Sequence, residues 1–80
     1  MLEAGEVEQR VRNVVKRVAK LANADFSADA DLFRELGVES VAALELLVSL
    51  EEEFSIEIPD AAFNDARTVR ALVTVVEGLT

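Results

Sequence analysis

Leu36-Gly37-Val38-Glu39-Ser40-Val41-Ala42-Ala43-Leu44-Glu45-Leu46-Leu47-Val48-Ser49-Leu50-Glu51-Glu52-Glu53-Phe54-Ser55-Ile56-Glu57-Ile58-Pro59-Asp60 decides the fold of this chain. Gly37 supplies the backbone freedom that ends a turn. A helix is expected from Ser40 to Phe54, and rotation at about 100° per residue separates its faces. Ala43, Leu46, Leu47, Leu50 and Phe54 share one side, which is assigned to the core. Val41, Leu44 and Val48 form a second stripe well round from it, flanked by Glu45 and Glu52. A helix with two apolar faces buries both or keeps one for a partner. In residues 55–59, Ile56 and Ile58 alternate with Glu57. A lone strand would have nothing to pair with, so this segment reads as an extended connection. Pro59 restricts the residue before it, and a short helix is expected over residues 60–64.

Working outward, Val7, Val11, Val14, Val15, Val18 and Leu21 fall at steps of three and four, predicting a first helix over residues 3–21. Its early glutamates and late lysines suit the helix dipole. Asn23, Asp25, Ser27, Asp29 and Asp31 then break helix. The resulting connection, residues 22–39, is long for a small domain. Phe26, Leu32, Phe33 and Leu36 are expected to pin it to the core, with one helical turn over residues 31–36. Thr68 is the expected N-cap of a last helix, whose stripe is Val69, Leu72, Val73, Val76 and Leu79. The expected fold class is all-α: a four-helix bundle of three longer helices and one short one, forming a single domain over residues 1–80.

Composition narrows the function. The 80 residues contain neither cysteine nor histidine. Disulfides, thiolate and imidazole metal sites, and nucleophile–base pairs built on Cys or His are thereby excluded. No catalytic or metal-ligating residue is nominated. No apolar run approaches the length of a membrane span and the opening residues carry no signal region, so a soluble, cytoplasmic, stand-alone protein is expected. The net charge is -8. Residues 35–66 hold nine acids and no Lys or Arg, whereas residues 1–34 balance six acids against six bases. Such a field repels nucleic acid and favours encounter with basic protein surfaces.

The segment around Ser40 closely resembles the acyl carrier protein family. Leu36-Gly37, Ser40, Leu50-Glu51, Phe54 and Ile58-Pro59-Asp60 stand in that family's register, and the flanking helices extend the resemblance over nearly the whole chain. The resemblance implies that a phosphopantetheinyl transferase joins 4'-phosphopantetheine from coenzyme A to the Ser40 hydroxyl. The thiol of that arm would then carry intermediates as thioesters. One departure stands out: the family usually has Asp-Ser-Leu, and this chain has Glu39-Ser40-Val41. The competing reading of Ser40 is a plain helix N-cap, a role for which serine is among the best residues.

Glu39, Val41, Leu44, Glu45, Val48 and Glu52 are the expected docking residues, an apolar centre ringed by charge beside Ser40. The alternative is that Leu44 reaches the core and the valines are ordinary surface residues. The partners implied are the transferase and acyl- or aminoacyl-loading and synthase enzymes with basic surfaces. Neither nucleic acid nor a membrane is an expected partner, and the chain is expected to be a monomer. The Glu-Ser-Val site and basic first helix favour a discrete carrier in polyketide or nonribosomal-peptide-type biosynthesis. The alternatives are the general carrier of fatty-acid synthesis and a helical interaction module without a prosthetic group.

Overall fold

The computed structural model describes residues 3–80; Met1 and Leu2, whose lack of a signal character entered the sequence reading, lie outside the described residues. Four helices follow in order: α1 (Ala4–Ala19), α2 (Ser40–Phe54), α3 (Asp60–Asp65) and α4 (Val69–Leu79), with no strand among the described residues. The all-α bundle of three longer helices and one short helix is the architecture expected from the apolar periodicities.

The aliphatic stripe of α1 makes the centre of the molecule. Val7, Val11, Val14, Val15 and Val18 are all buried, and α1 packs against both α2 and α4. Leu46, Leu50 and Phe54 bring in one side of α2, and Val69, Leu72 and Val76 one side of α4. Ala43 and Leu47 pack against this core while remaining only partly buried. Leu79, assigned to the α4 stripe from its spacing, is 41% exposed. It is the last residue of its helix.

The helix ends follow from local chemistry. Lys20 closes α1 in the left-handed conformation, φ 57°, and the amides of Lys20 and Leu21 donate to the Lys16 and Arg17 carbonyls. This closure puts the end of α1 at Ala19 rather than Leu21. At α4, Thr68 Oγ1 accepts from the Ala71 amide at 3.1 Å, satisfying a first-turn donor as its sequence position implied. The connection from α2 to α3 is held by Glu51, whose carboxylate accepts from the Ile58 amide at 2.8 Å. That bond gives the acid of the Leu-Glu pair a structural task.

The long α1–α2 connection is ordered by a clasp onto the start of α4. The Leu32 amide donates to the Arg67 carbonyl at 2.8 Å, and the Arg70 amide donates to the Ala28 carbonyl at 3.0 Å. Side chains repeat the link: Arg67 pairs with Asp31 at 3.1 Å and lies over the Phe33 ring at 4.7 Å, and Arg70 pairs with Asp29 at 2.6 Å. Leu32 is fully buried beneath the clasp. Asp31 also accepts from the Phe33 and Arg34 amides, so it caps the single turn that follows it.

Those contacts set a pH response. The Arg34 amide first, then Arg67 and the Phe33 amide, hold the Asp31 carboxyl below its ordinary value of 3.8 against the opposing effect of burial. Arg70 does the same for Asp29. A carboxylate whose folded pKa is depressed adds stability that is whole above the ordinary value and fades as pH falls towards the folded one. The urea midpoint is therefore expected to fall as pH drops below about 4. Asp31→Asn retains an oxygen to accept from the amides, so its midpoint should fall less over the same range. Parallel pH profiles for the two proteins would contradict this account.

Gly37 has φ +74°, and a Cβ built on it would meet nothing within 4 Å. The cost of a side chain there is conformational rather than steric. Gly37→Ala is expected to lower stability by about 1–2 kcal/mol in urea titration, and Gly37→Asn, which tolerates this region better, by less.

Candidate functional site

Ser40 is the first helical residue of α2, and the cap position belongs to Glu39. The Glu39 side chain makes no capping bond, and the Ser40 hydroxyl bonds to no other described residue. The N-cap reading of Ser40 is thus corrected: its side chain stands one residue inside the helix, exposed and unengaged. The first backbone bond of the helix runs from the Ala43 amide to the Glu39 carbonyl at 2.7 Å. The amides of Ser40, Val41 and Ala42 precede it and have no intrahelical acceptor. Unpaired N–H groups and the positive end of the helix dipole surround the hydroxyl, a setting that favours an attached anion.

Two open grooves meet at Ser40. One runs between the end of α1, the turn after Phe33 and the first turns of α2, with Val18, Lys20, Phe33, Val38 and Val41 among its walls. Glu39 and Glu45 also face it. The second lies between α2 and α3, with Ala43, Leu44, Leu47, Phe63, Asn64 and Asp60 along it. Sequence reasoning missed Lys20, Phe33 and Val38 as neighbours of Ser40. Lys20 suited the helix dipole and Phe33 served as an anchor, and no local pattern joins residue 20 to residue 40.

The outer stripe of α2 is open. Val41 is 81% exposed, Leu44 64% and Val48 46%, so Leu44 does not reach the core. Glu39, Glu45 and Glu52 are exposed beside them. Of the other acids late in α2, Glu51 is engaged with Ile58. Glu53 turns towards α1 and pairs with Arg10 at 2.8 Å, where the guanidinium also lies over Phe54 at 4.7 Å. The fold therefore separates the α2 acids into two with internal bonds and those that border the apolar stripe. No helix of the described residues is long and apolar enough to cross a membrane.

Comparison with known proteins fits this geometry. Residues 9–76 match the protein family described as phosphopantetheine attachment site. Over 72 residues the chain is 42% identical to the mitochondrial acyl carrier protein of Saccharomyces cerevisiae, with 85% of this chain and 58% of the yeast protein covered. Over 74 residues it is 35% identical to the acyl carrier protein of Campylobacter hominis, with 92% of this chain and 94% of the bacterial protein covered. The chain thus spans somewhat more than half the length of the yeast relative and nearly all of the bacterial one. It belongs to the acyl carrier protein family, whose prosthetic group is covalently bound phosphopantetheine. An exposed hydroxyl with no competing bond, beside three unpaired amides, fits such a group.

Proposed function

We propose that the chain is a non-catalytic acyl carrier whose phosphopantetheine arm is attached at Ser40. The observation that carries this reading is the unengaged Ser40 hydroxyl at the open end of α2, within a chain of this family. Ser40 Oγ would bond to the phosphorus of the phosphopantetheinyl group as the phosphoanhydride of coenzyme A breaks and adenosine 3',5'-bisphosphate leaves. Nothing in this chain accepts a hydrogen bond from Oγ among the described residues, so the base that takes its proton belongs to the transferase. The amides of Ser40, Val41 and Ala42 then face the phosphodiester charge. Once attached, the arm supplies a thiol that holds acyl groups as thioesters at high effective concentration near a docked enzyme. Intact mass before and after incubation with coenzyme A and a broad-specificity transferase tests the reading. A gain of one phosphopantetheinyl group supports it, and no gain with a transferase active on another carrier would sink it.

The general carrier of fatty-acid synthesis is the pathway this reading favours. Neither relative's name carries a specialised pathway, and this outweighs the expectation of a polyketide or nonribosomal-peptide carrier drawn from Glu39-Ser40-Val41. A monomeric protein of the cytoplasm belongs to the same proposal.

Docking on the open α2 stripe is also part of it, through Val41, Leu44 and Val48 with Glu39, Glu45 and Glu52. Charges at the edge of an interface act mainly on association rate and salt dependence. Glu45→Lys with Glu52→Lys is expected to slow acyl or phosphopantetheinyl transfer several-fold at low salt, less at high salt, and to leave the urea midpoint unchanged. Transfer kinetics equal to the parent's at low salt would remove the stripe from the docking surface.

A further inference from the structure

The grooves that meet at Ser40 each carry one excess acid among their described lining residues but differ in how that charge is made up. Among the described residues, the α2–α3 groove presents Asp60 and no cation. The groove between α1, the long connection and α2 presents Lys20, the one cation among the described residues that lines either of them. Lys20 forms no ion pair with a described carboxylate, whereas Arg10, Arg12, Arg67 and Arg70 all do. Glu39 and Glu45 face the same groove and would repel an anion, and the single charge of Lys20 offsets one of the two. The rest of the wall is largely apolar, with Val18, Phe33, Val38 and Val41. It is also firmly built: Phe33 is held by Arg67, and the Val38 amide donates to the Leu32 carbonyl at 2.9 Å.

We infer that this groove is the resting berth of the chain's own phosphopantetheine arm, with Lys20 as the positioning residue that pairs with the phosphodiester. The arm begins at the groove wall, on Ser40. Its first charged group is an anion, and its next stretch is a branched hydrocarbon followed by amides. A cation and a largely apolar wall match that order. Pairing with Lys20 biases the arm towards α1 between encounters and leaves the α2–α3 groove open. The inference rests on Ser40 being the attachment point.

The test uses holo protein made with coenzyme A and a transferase. Peptide mapping first locates the added group; a group elsewhere, or none, is a failure of the Ser40 assignment and shows itself at this step. A nitroxide label is then placed on the arm thiol and the broadening of backbone amide resonances is measured. Amides of Val18, Phe33 and Val38 are expected to broaden several-fold more than those of Leu47, Phe63 and Asn64. Lys20→Glu should remove most of that bias, while Lys16→Glu, a matched charge change outside the groove, should preserve it. Thermal melts of the variants separate loss of the berth from loss of the fold. Even broadening on both sides of α2, a bias towards Phe63 and Asn64, or equal effects of the two substitutions would overturn the berth.

Discussion

Ser40→Ala is expected to abolish the gain of a phosphopantetheinyl group while leaving the folded protein at least as stable as the parent. The two halves of that result rest on one geometric fact. If Ser40 capped α2, removing its oxygen would cost about 1 kcal/mol. Its side chain instead stands one position inside the helix and bonds to no other described residue. Alanine has the higher helix propensity, so the change in stability should lie within about 0.5 kcal/mol of zero, on the favourable side. Modification, by contrast, has no substitute oxygen on that turn, since residues 41–48 contain no Ser or Thr. The measurements are intact mass after incubation with an active transferase, and a urea titration of the unmodified proteins. A mass gain in the variant would move the attachment point elsewhere. A loss of stability near 1 kcal/mol would restore Ser40 as a cap.

Leu46→Ala is expected to destabilise the domain by about 2–5 kcal/mol. Leu46 is fully buried on the α2 face that meets the valine stripe of α1. The substitution removes apolar contacts and leaves a void that the short helices around it close only in part. Ordinary domains are stable by about 5–15 kcal/mol, and one of this size sits towards the lower end. The variant should lose a large share of its margin, seen as a lower urea midpoint at unchanged slope. Leu44→Ala, two residues away, provides the contrast. Leu44 is 64% exposed, and its truncation should stay within about 0.5 kcal/mol. Equal losses at the two positions would mean that the outer stripe is packed inside the protein rather than open.

Much of this fold was legible because it is local. The span of α2 follows from Gly37 behind it and a run rich in Ala, Leu and Glu with neither Gly nor Pro until Pro59. Its two faces separate by rotation alone, which is why the exposed stripe and the buried side fell where the spacing put them. Thr68 announced α4 because a capping hydroxyl acts over three residues. The clasp of residues 28–32 onto Arg67 and Arg70 was not legible, because its partners lie far apart in sequence and the residues involved look like ordinary surface charge. The same reason hid the groove beside Ser40, where Lys20 and Phe33 arrive from other elements. The helix start expected at Ser40 is the observed one, and the competing reading of Ser40 as a cap fails by one residue. Serine is favoured at that position, and only backbone angles reveal that Glu39 occupies it with φ -92° and ψ 175°. The family was legible as a pattern of residues around Ser40; the openness of the hydroxyl is a property of the folded chain.

The division of α2 into a bonded side and an open side has an evolutionary consequence. Changes at Leu46, Leu50, Glu51 or Phe54 are judged by the protein's own interior, whereas changes at Val41, Leu44, Glu45, Val48 or Glu52 leave the interior alone. Selection can therefore act on the two sides independently. If the open stripe is the docking surface proposed above, a duplicated gene could acquire a new set of enzymes through a few outer residues, without passing through an unfolded intermediate and without disturbing the serine between the grooves.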